Sequence, residues 1–314
     1  MRTKSNHSSE GNGFKRSITT FNGGLKRVGN GFKRSITTFN GGMNRVGKKI
    51  PYDKENIFHR LIRTVLIIIA SLTIFVLIWW NVSYIVNSAA IPLPTQVWTA
   101  FVNLFSYGDP ISGMTMWAHI GISLERFLGG FVLAMLVAVP MGLLMGSSKT
   151  LSEFMNPMLE ILRPIAPIAW APVLLFATGY TWGPMLVVFI GIFFPLLSNT
   201  TFGVTKIDRN LIDASKTLGA SKAQIFYKVM FPCALPYIMY GVKIGSGIGW
   251  MCIVASELYA SYGGGIGYFV GIQASIGFWP NVFVGIGIIA VLGILTTGMF
   301  EYVHKVLTKR MGIE

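Results

Sequence analysis

The stretch IDASKTLGASKAQIFYKVMFP, residues 212–232, begins hydrophilic and is set between strongly apolar segments. It carries Asp213-Ala214-Ser215, then Gly219, then Val229, Phe231 and Pro232. Asn210 to Leu218 reads as a short helix closed by Gly219, a residue suited to the left-handed position after a helix. Ser221 suits the N-cap of the next helix. There Ile225, Phe226, Val229 and Met230 recur at spacings of one, three and four, an apolar stripe that Pro232 is expected to end. Two short helices with a glycine break dock a protein well and span a membrane poorly. On periodicity alone the stretch reads either as a docking element at a membrane surface or as an amphipathic linker lying on the bilayer.

The surrounding composition is that of a membrane protein. Of 314 residues 52% are hydrophobic and only 12% charged, with mean hydropathy +0.58; a soluble domain carries about 25% charged residues. The net charge of +14 is concentrated at one end. Residues 1–63 hold 14 of the 26 Lys/Arg against three acids (Glu10, Asp53, Glu55), a net of +11. A basic flank is what membrane topology requires, so the charge gives little reason to expect a nucleic-acid partner. Cys233 and Cys252 lie in or beside one apolar segment and imply no disulfide framework. The N-terminus has no apolar run near its start, so no cleavable signal peptide is expected.

A helix needs roughly 20 apolar residues to cross about 30 Å of hydrocarbon. Residues 61–80 supply a first span and a segment running to Gly146 a second. The uncharged run 164–205 is too long for one helix. Gly179-Tyr180-Thr181-Trp182-Gly183-Pro184 offers a turn within it, giving spans three and four. Residues 234–257 make a fifth and 282–303 a sixth. The glycine-rich part of 258–281 reads as an outer loop or re-entrant piece. No Lys or Arg occurs in 81–117, 179–184 or 259–281. The alternate connections carry Lys149, Arg163, Lys206, Arg209, Lys216, Lys222 and Lys228, and the C-terminus Lys305, Lys309 and Arg310. The positive-inside rule then predicts an all-α protein with six transmembrane helices and both termini in the cytoplasm. Residues 212–232 face the cytoplasm in this arrangement.

With that topology, the spacing of residues 213–232 resembles the EAA loop of ATP-binding-cassette (ABC) importer permeases. An acid, two small residues, a glycine six positions after the acid, an aliphatic, a second apolar residue and a proline stand here as Asp213, Ala214, Ser215, Gly219, Val229, Phe231 and Pro232. Asp replaces the usual Glu, and Ser and Phe replace Ala and Leu. IPLPTQVW at 91–98, SLERFLGGFVLAMLVAVPMGLLMG at 123–146 and RPIAPIAWAPVLLF at 163–176 are similar to segments of the nitrate, sulfonate, taurine and bicarbonate permeases. The resemblance covers about residues 60–310, a permease domain within 57–314, and leaves out the basic tail 1–56.

The resemblance implies a type I importer fold in the inner (plasma) membrane. A second copy of the permease, two ATPase subunits and an extracytoplasmic binding protein are the implied partners, with ATP and Mg held by the ATPases. Asp213, Ala214, Ser215, Gly219, Ser221, Ile225, Phe226, Val229 and Pro232 are then the ATPase-coupling residues, in a cytoplasmic coupling loop at 208–232. The chain has no GxxxxGK[ST] phosphate loop, so the ATPase is expected to be a separate subunit, and neither a cofactor nor a catalytic site is expected in this chain. The implied cargo is a small anion of the nitrate, sulfonate or bicarbonate class. Another small organic solute, such as a vitamin precursor, or a secondary transporter driven by an ion gradient, is the alternative. A membrane-embedded enzyme would need paired reactive groups; His7, His59, His119 and His304 are far apart and have no metal-ligand spacing.

Arg126, Trp170, Trp250 and Glu257 are the candidates for the translocation path. An ionisable group within a span is costly and is a functional candidate by default. Arg126 reads either as an anion attractor or as an interfacial side chain reaching for water, and Lys243 as the latter. Glu257 reads as a structural or gating group, since a bare carboxylate repels an anion. Trp170 lies among Pro164, Pro167 and Pro172 and reads as path wall or packing. Gly241, Gly245 and Gly249 recur every four residues and suit close helix packing.

The tail carries a repeat. Residues 11–28, GNGFKRSITTFNGGLKRV, recur as 29–46 with two changes, Leu25/Met43 and Lys26/Asn44. Phe14, Ile18, Phe21, Leu25 and Val28 and their repeats step by three or four, flanked by Lys15, Arg16, Lys33 and Arg34. This basic amphipathic pattern fits an anionic lipid surface; a tail left unstructured after a duplication is the other reading.

Overall fold

A backbone inside hydrocarbon must satisfy its own N–H and C=O groups, which confines spanning segments of this apolar sequence to helices. The computed structural model describes residues 57–310 except Ser261, and every regular element in that range is helical. The repeated tail lies outside the described residues. The elements are α1 (Ile57–Val86), α2 (Pro94–Tyr107), α3 (Met116–Ser147), α4 (Lys149–Leu162), a 3-10 turn (Pro167–Trp170), α5 (Ala171–Thr205), α6 (Arg209–Thr217), α7 (Lys222–Ile225), a π turn (Phe226–Met230), α8 (Phe231–Leu258), α9 (Ile266–Ser275) and α10 (Trp279–Arg310). The chain divides into two compact units, Met1–Phe75 and Val76–Glu314, so α1 is shared between them. The described part of the first unit is the helical segment 57–75. The elements from α2 onward belong to the second.

Five helical segments in the described residues are long and apolar enough to cross a membrane: Ile62–Val86, Met116–Ser147, Pro167–Thr205, Lys222–Leu258 and Trp279–Lys309. Six spans were expected, and the difference lies in 167–205. Gly179, within α5, has φ 80° and ψ 179°, which no helix contains. A Cβ on Gly183 would sit 2.8 Å from the Cα of Leu175, two residues that a straight helix would hold about 12 Å apart. Further from the bend, Arg163 Nη2 donates to Ser198 Oγ at 3.2 Å. The segment therefore folds back on itself at Gly179, where the turn was expected. Its first arm runs from Arg163 and its second to Thr205.

The packing fixes helix directions. Gly142 of α3 lies against Thr200, and Gly130 and Gly146 lie against Val188 and Val204 of the second arm. Partner numbers rise together, so these two helices are parallel, and the chain between them must return. On α8, Gly241 lies against Leu196 and Asn199, and Gly245 and Gly249 against Ile192, so α8 is antiparallel to the same arm. Tyr237 against Gly203 continues that series. α10 is antiparallel to α8: Trp250 Nε1 donates to Thr296 Oγ1 at 2.7 Å, and Lys243 pairs with Glu301 at 3.1 Å. Between lipid-soluble helices the attraction is close van der Waals contact, which small residues permit. The glycine row of α8 packs as its spacing predicts. A second row on α3 (Gly130, Ala134, Ala138, Gly142, Gly146) does the same on the other side of the arm.

These directions sort the connections. The ends at Lys149, Lys206–Lys228 and Lys305 gather at one end of the bundle. The bend at Gly179, α2 and α9 gather at the other, which carries no Lys or Arg in 81–117 or 259–281. There Leu104, Met116, Ile266, Phe269, Val284 and Ile288 form a second core.

Candidate functional site

The basic end holds the loop 206–232. Asp208 opens α6, its Oδ1 accepting the Asn210 N–H at 2.9 Å. Asp213 Oδ1 accepts from Lys216 Nζ at 2.8 Å, and that hydrogen bond holds its carboxyl below the usual carboxylate range. The pair is exposed and contributes little to stability. Gly219 closes the helix with φ 80°. The Ala220 N–H reaches the Ser215 carbonyl at 3.0 Å and the Gly219 N–H that of Lys216 at 2.9 Å, the Schellman pattern. Ala214 accepts from the Leu218 N–H at 3.1 Å. Ser221 caps α7 as expected, and Gln224 completes the box by accepting the Ser221 N–H at 2.8 Å. The Ser-x-x-Gln spacing is the sequence signal for this second bond, beyond the cap that Ser221 alone predicts.

Two expectations about this loop are corrected. Pro232 does not end the second helix. It stands in the first turn of α8, and Phe226–Met230 adopt a π turn in which the Phe231 N–H bonds the Phe226 carbonyl five residues back. Proline cannot donate to the carbonyl four residues before it and crowds it; the wider turn absorbs the misfit, and the helical path runs on from Lys222 to Leu258. The apolar stripe, read either as part of a docking element or as the face of a linker on the bilayer, turns inward. Ile225 is buried, Phe226 and Met230 pack on the main core, and Val229 is half-buried. A helix continuous with a span lays its apolar face on its own bundle. The large apolar groups left outward are Leu211, Leu218, Tyr227 and Phe231, with Leu218 and Tyr227 88% and 70% exposed.

At the opposite end lies a buried polar network. Arg126 Nη1 is 2.9 Å from Glu257 Oε1, and both side chains are almost wholly buried. Arg126 also donates to the carbonyls of Gly264 at 2.8 Å and Gly263 at 3.1 Å. Glu257 Oε2 accepts from Ser123 Oγ at 2.8 Å and from the Gly267 N–H at 2.9 Å. Ser123 Oγ in turn accepts the Ile266 N–H, and His119 Nδ1 lies 3.1 Å from the Gly265 oxygen. Next to it, Gln273 Nε2 donates to Asp109 Oδ1 and its Oε1 accepts from Asn281, at 2.9 Å each. Each polar group brought from water has partners here, the condition for tolerating it. Arg126 therefore neither reaches for water nor offers a free charge to an anion: it neutralises Glu257 and pins the Gly263–Gly265 turn to α3. Glu125, its neighbour, is exposed.

The remaining path candidates separate. Trp250 is 3% exposed, stacks on Phe127 at 4.8 Å and bonds Thr296, a core position. Trp170 is half-buried at the end of the 3-10 turn. Lys243 pairs with Glu301 instead of reaching water alone.

Comparison with known proteins places this architecture. The family model described as binding-protein-dependent transport system inner membrane component matches residues 130–309. The taurine transport system permease protein TauC of Escherichia coli is 33% identical, over 74% of this chain and 85% of its own. The nitrate import permease protein NrtB of Synechocystis is 30% identical, again over 74% and 85%. Among solved structures, an inward-facing form of the MetNI methionine ABC transporter aligns with TM-score 0.52 at 18% identity, covering 62% of this chain and 97% of that one. That likeness establishes the shared fold.

Proposed function

The chain belongs to the family of binding-protein-dependent transport system inner membrane components, and from that premise we propose that it imports a small anionic solute by alternating access. It is an ABC-transporter permease subunit, with ATP hydrolysis on a separate subunit. In the proposed assembly two copies pair, two ATPases dock at the basic end, and an extracytoplasmic protein delivers the solute to the other. The fold-back at Gly179 supports counting 167–205 as two crossings, which gives six spans and cytoplasmic termini. The anionic cargo rests on the taurine and nitrate permeases among the relatives.

One observation carries the coupling: the helical path Lys222–Leu258 joins the docking loop to the far-end network without a break. A partner that moves α6 and α7 moves a rigid rod whose other end holds Glu257. Asp213, Ala214, Ser215, Gly219 and Ser221 shape the loop that the partner grips. Ile225, Phe226 and Val229 fasten it to the bundle, and Pro232 sets the π turn.

Replacing Gly219 by Val tests this, because the left-handed backbone there rejects a branched side chain. The expected result is normal membrane insertion with ATP-driven uptake lost. Uptake by the wild type without any ATPase would overturn the proposal in favour of an ion-gradient carrier. Uptake assays with nitrate, taurine and bicarbonate test the cargo class.

A further inference from the structure

The fold-back encloses a second polar feature. A pocket of about 340 Å³ lies between its two arms and α8, lined by Arg163, Ile165, Pro167, Phe194, Ser198 and Ile248 among others. That volume is at the small end of the range for ligand sites, about 300–1,000 Å³. Prolines shape both walls: Pro167 and Pro195 cannot donate to the carbonyls four residues before them. The wall is otherwise apolar, and its side-chain polar groups are Arg163 and Ser198. Arg163 Nη2 donates to Ser198 Oγ at 3.2 Å, and Ser198 donates onward to the Phe194 carbonyl at 2.8 Å.

Arg163 is exposed at the edge of this pocket, and no acid among the described residues pairs with it. Among the described residues the acids in ion pairs serve Arg126, Lys149, Lys216, Lys243 and Lys305, and none reaches Arg163. Residues 164–205 contain no charge, so Arg163 is the sole ionised group of the folded-back segment. A guanidinium is weakly hydrated, keeps its charge and offers a planar fork of donors that matches an oxyanion. Ser198 occupies one donor and leaves the others free.

We propose that Arg163 and Ser198 form an oxyanion subsite at the basic end of the transport segment, which takes the head group of the cargo or the phosphate of a lipid. The cargo assignment rests on the anion-import reading; the site itself does not.

The test uses the assembled transporter in nanodiscs, as wild type, Arg163→Gln, Arg163→Lys and Ser198→Ala. One arm holds only phosphatidylcholine and is titrated with nitrate or taurine; the other adds phosphatidylglycerol without either solute. The readout is the shift in thermal midpoint, which reports ligand binding to the folded state. In whichever arm stabilises the wild type, Arg163→Gln is expected to weaken apparent affinity tenfold or more, Arg163→Lys to restore part of it, and Ser198→Ala to cost a few-fold. The arm that responds identifies the source. Equal shifts for wild type and Arg163→Gln in both arms, or no shift in either, overturn the subsite. Wild-type uptake of neither nitrate nor taurine nor bicarbonate, with Arg163-dependent shifts intact, overturns the anion-import reading and leaves the subsite standing.

Discussion

Arg126 and Glu257, 131 residues apart in the chain, meet at 2.9 Å inside the bundle with their side chains 5% and 0% exposed. Neither could be buried alone, since an unpaired charge in low dielectric costs several kcal/mol. Together they join α3, the end of α8 and the Gly263–Gly265 turn.

Glu257→Gln should destabilise the protein by about 3–5 kcal/mol, because it leaves the Arg126 charge buried without a counter-charge. Arg126→Met with Glu257→Leu should cost less than either single change. Thermal unfolding of the wild type, the Met and Leu single variants and their double forms a double-mutant cycle that reads the coupling directly. Additive effects would show that the pair does not act as a unit.

A Cβ at Gly265 would fall on the Glu257 carboxylate. Gly265→Ala should therefore cost about 1–3 kcal/mol of overpacking, and the shorter Glu257→Asp should relieve part of it. Melting temperatures of the two single variants and the double variant check this.

Trp250→Phe keeps the stack on Phe127 and removes the bond to Thr296. A loss of about 1 kcal/mol of stability is expected, with uptake per folded transporter unchanged. Unchanged stability with lost uptake would return Trp250 to the translocation path.

At the loop, Leu218→Asp and Tyr227→Asp place charge on exposed positions, while Ile225→Asp places it in a buried one. The first two should insert normally and lose ATPase stimulation by the binding protein. The third should lower the yield of folded protein. Pull-down of the ATPase, alongside yield, separates the outcomes.

Deleting residues 1–47 should lower binding to vesicles containing anionic lipid and change the ATPase rate of the reconstituted transporter, given the basic amphipathic repeat of the tail. Vesicle flotation and ATPase assays check it; no change in either would assign the tail no part in transport.

The loop shows how far residue order reaches. Asp208, Gly219 and Ser221 act as helix ends for local reasons: a side-chain acceptor, a missing Cβ, a hydroxyl within reach of the next turn. Neighbouring residues settle such features. The glycine row of α8 was legible likewise, since its spacing presents one smooth face. The turn near Gly179 was legible from the length of the uncharged run. Pro232 misled because local rules count its missing donor but not the π turn that accommodates it.

By itself the sequence determined that this is an all-helical membrane protein, which segments are apolar enough to span, which connections are basic, and where the polar loop between the last apolar segments lies. These follow from hydropathy, charge and spacing along the chain, all local quantities. Only the tertiary structure decided that Arg126 belongs to Glu257, that the loop's apolar stripe faces its own bundle, that the helical path continues from Lys222 to Leu258, and that Arg163 stands beside Ser198. Each of these depends on which distant segments the packing brings within a few ångströms, and no property of one segment alone contains it.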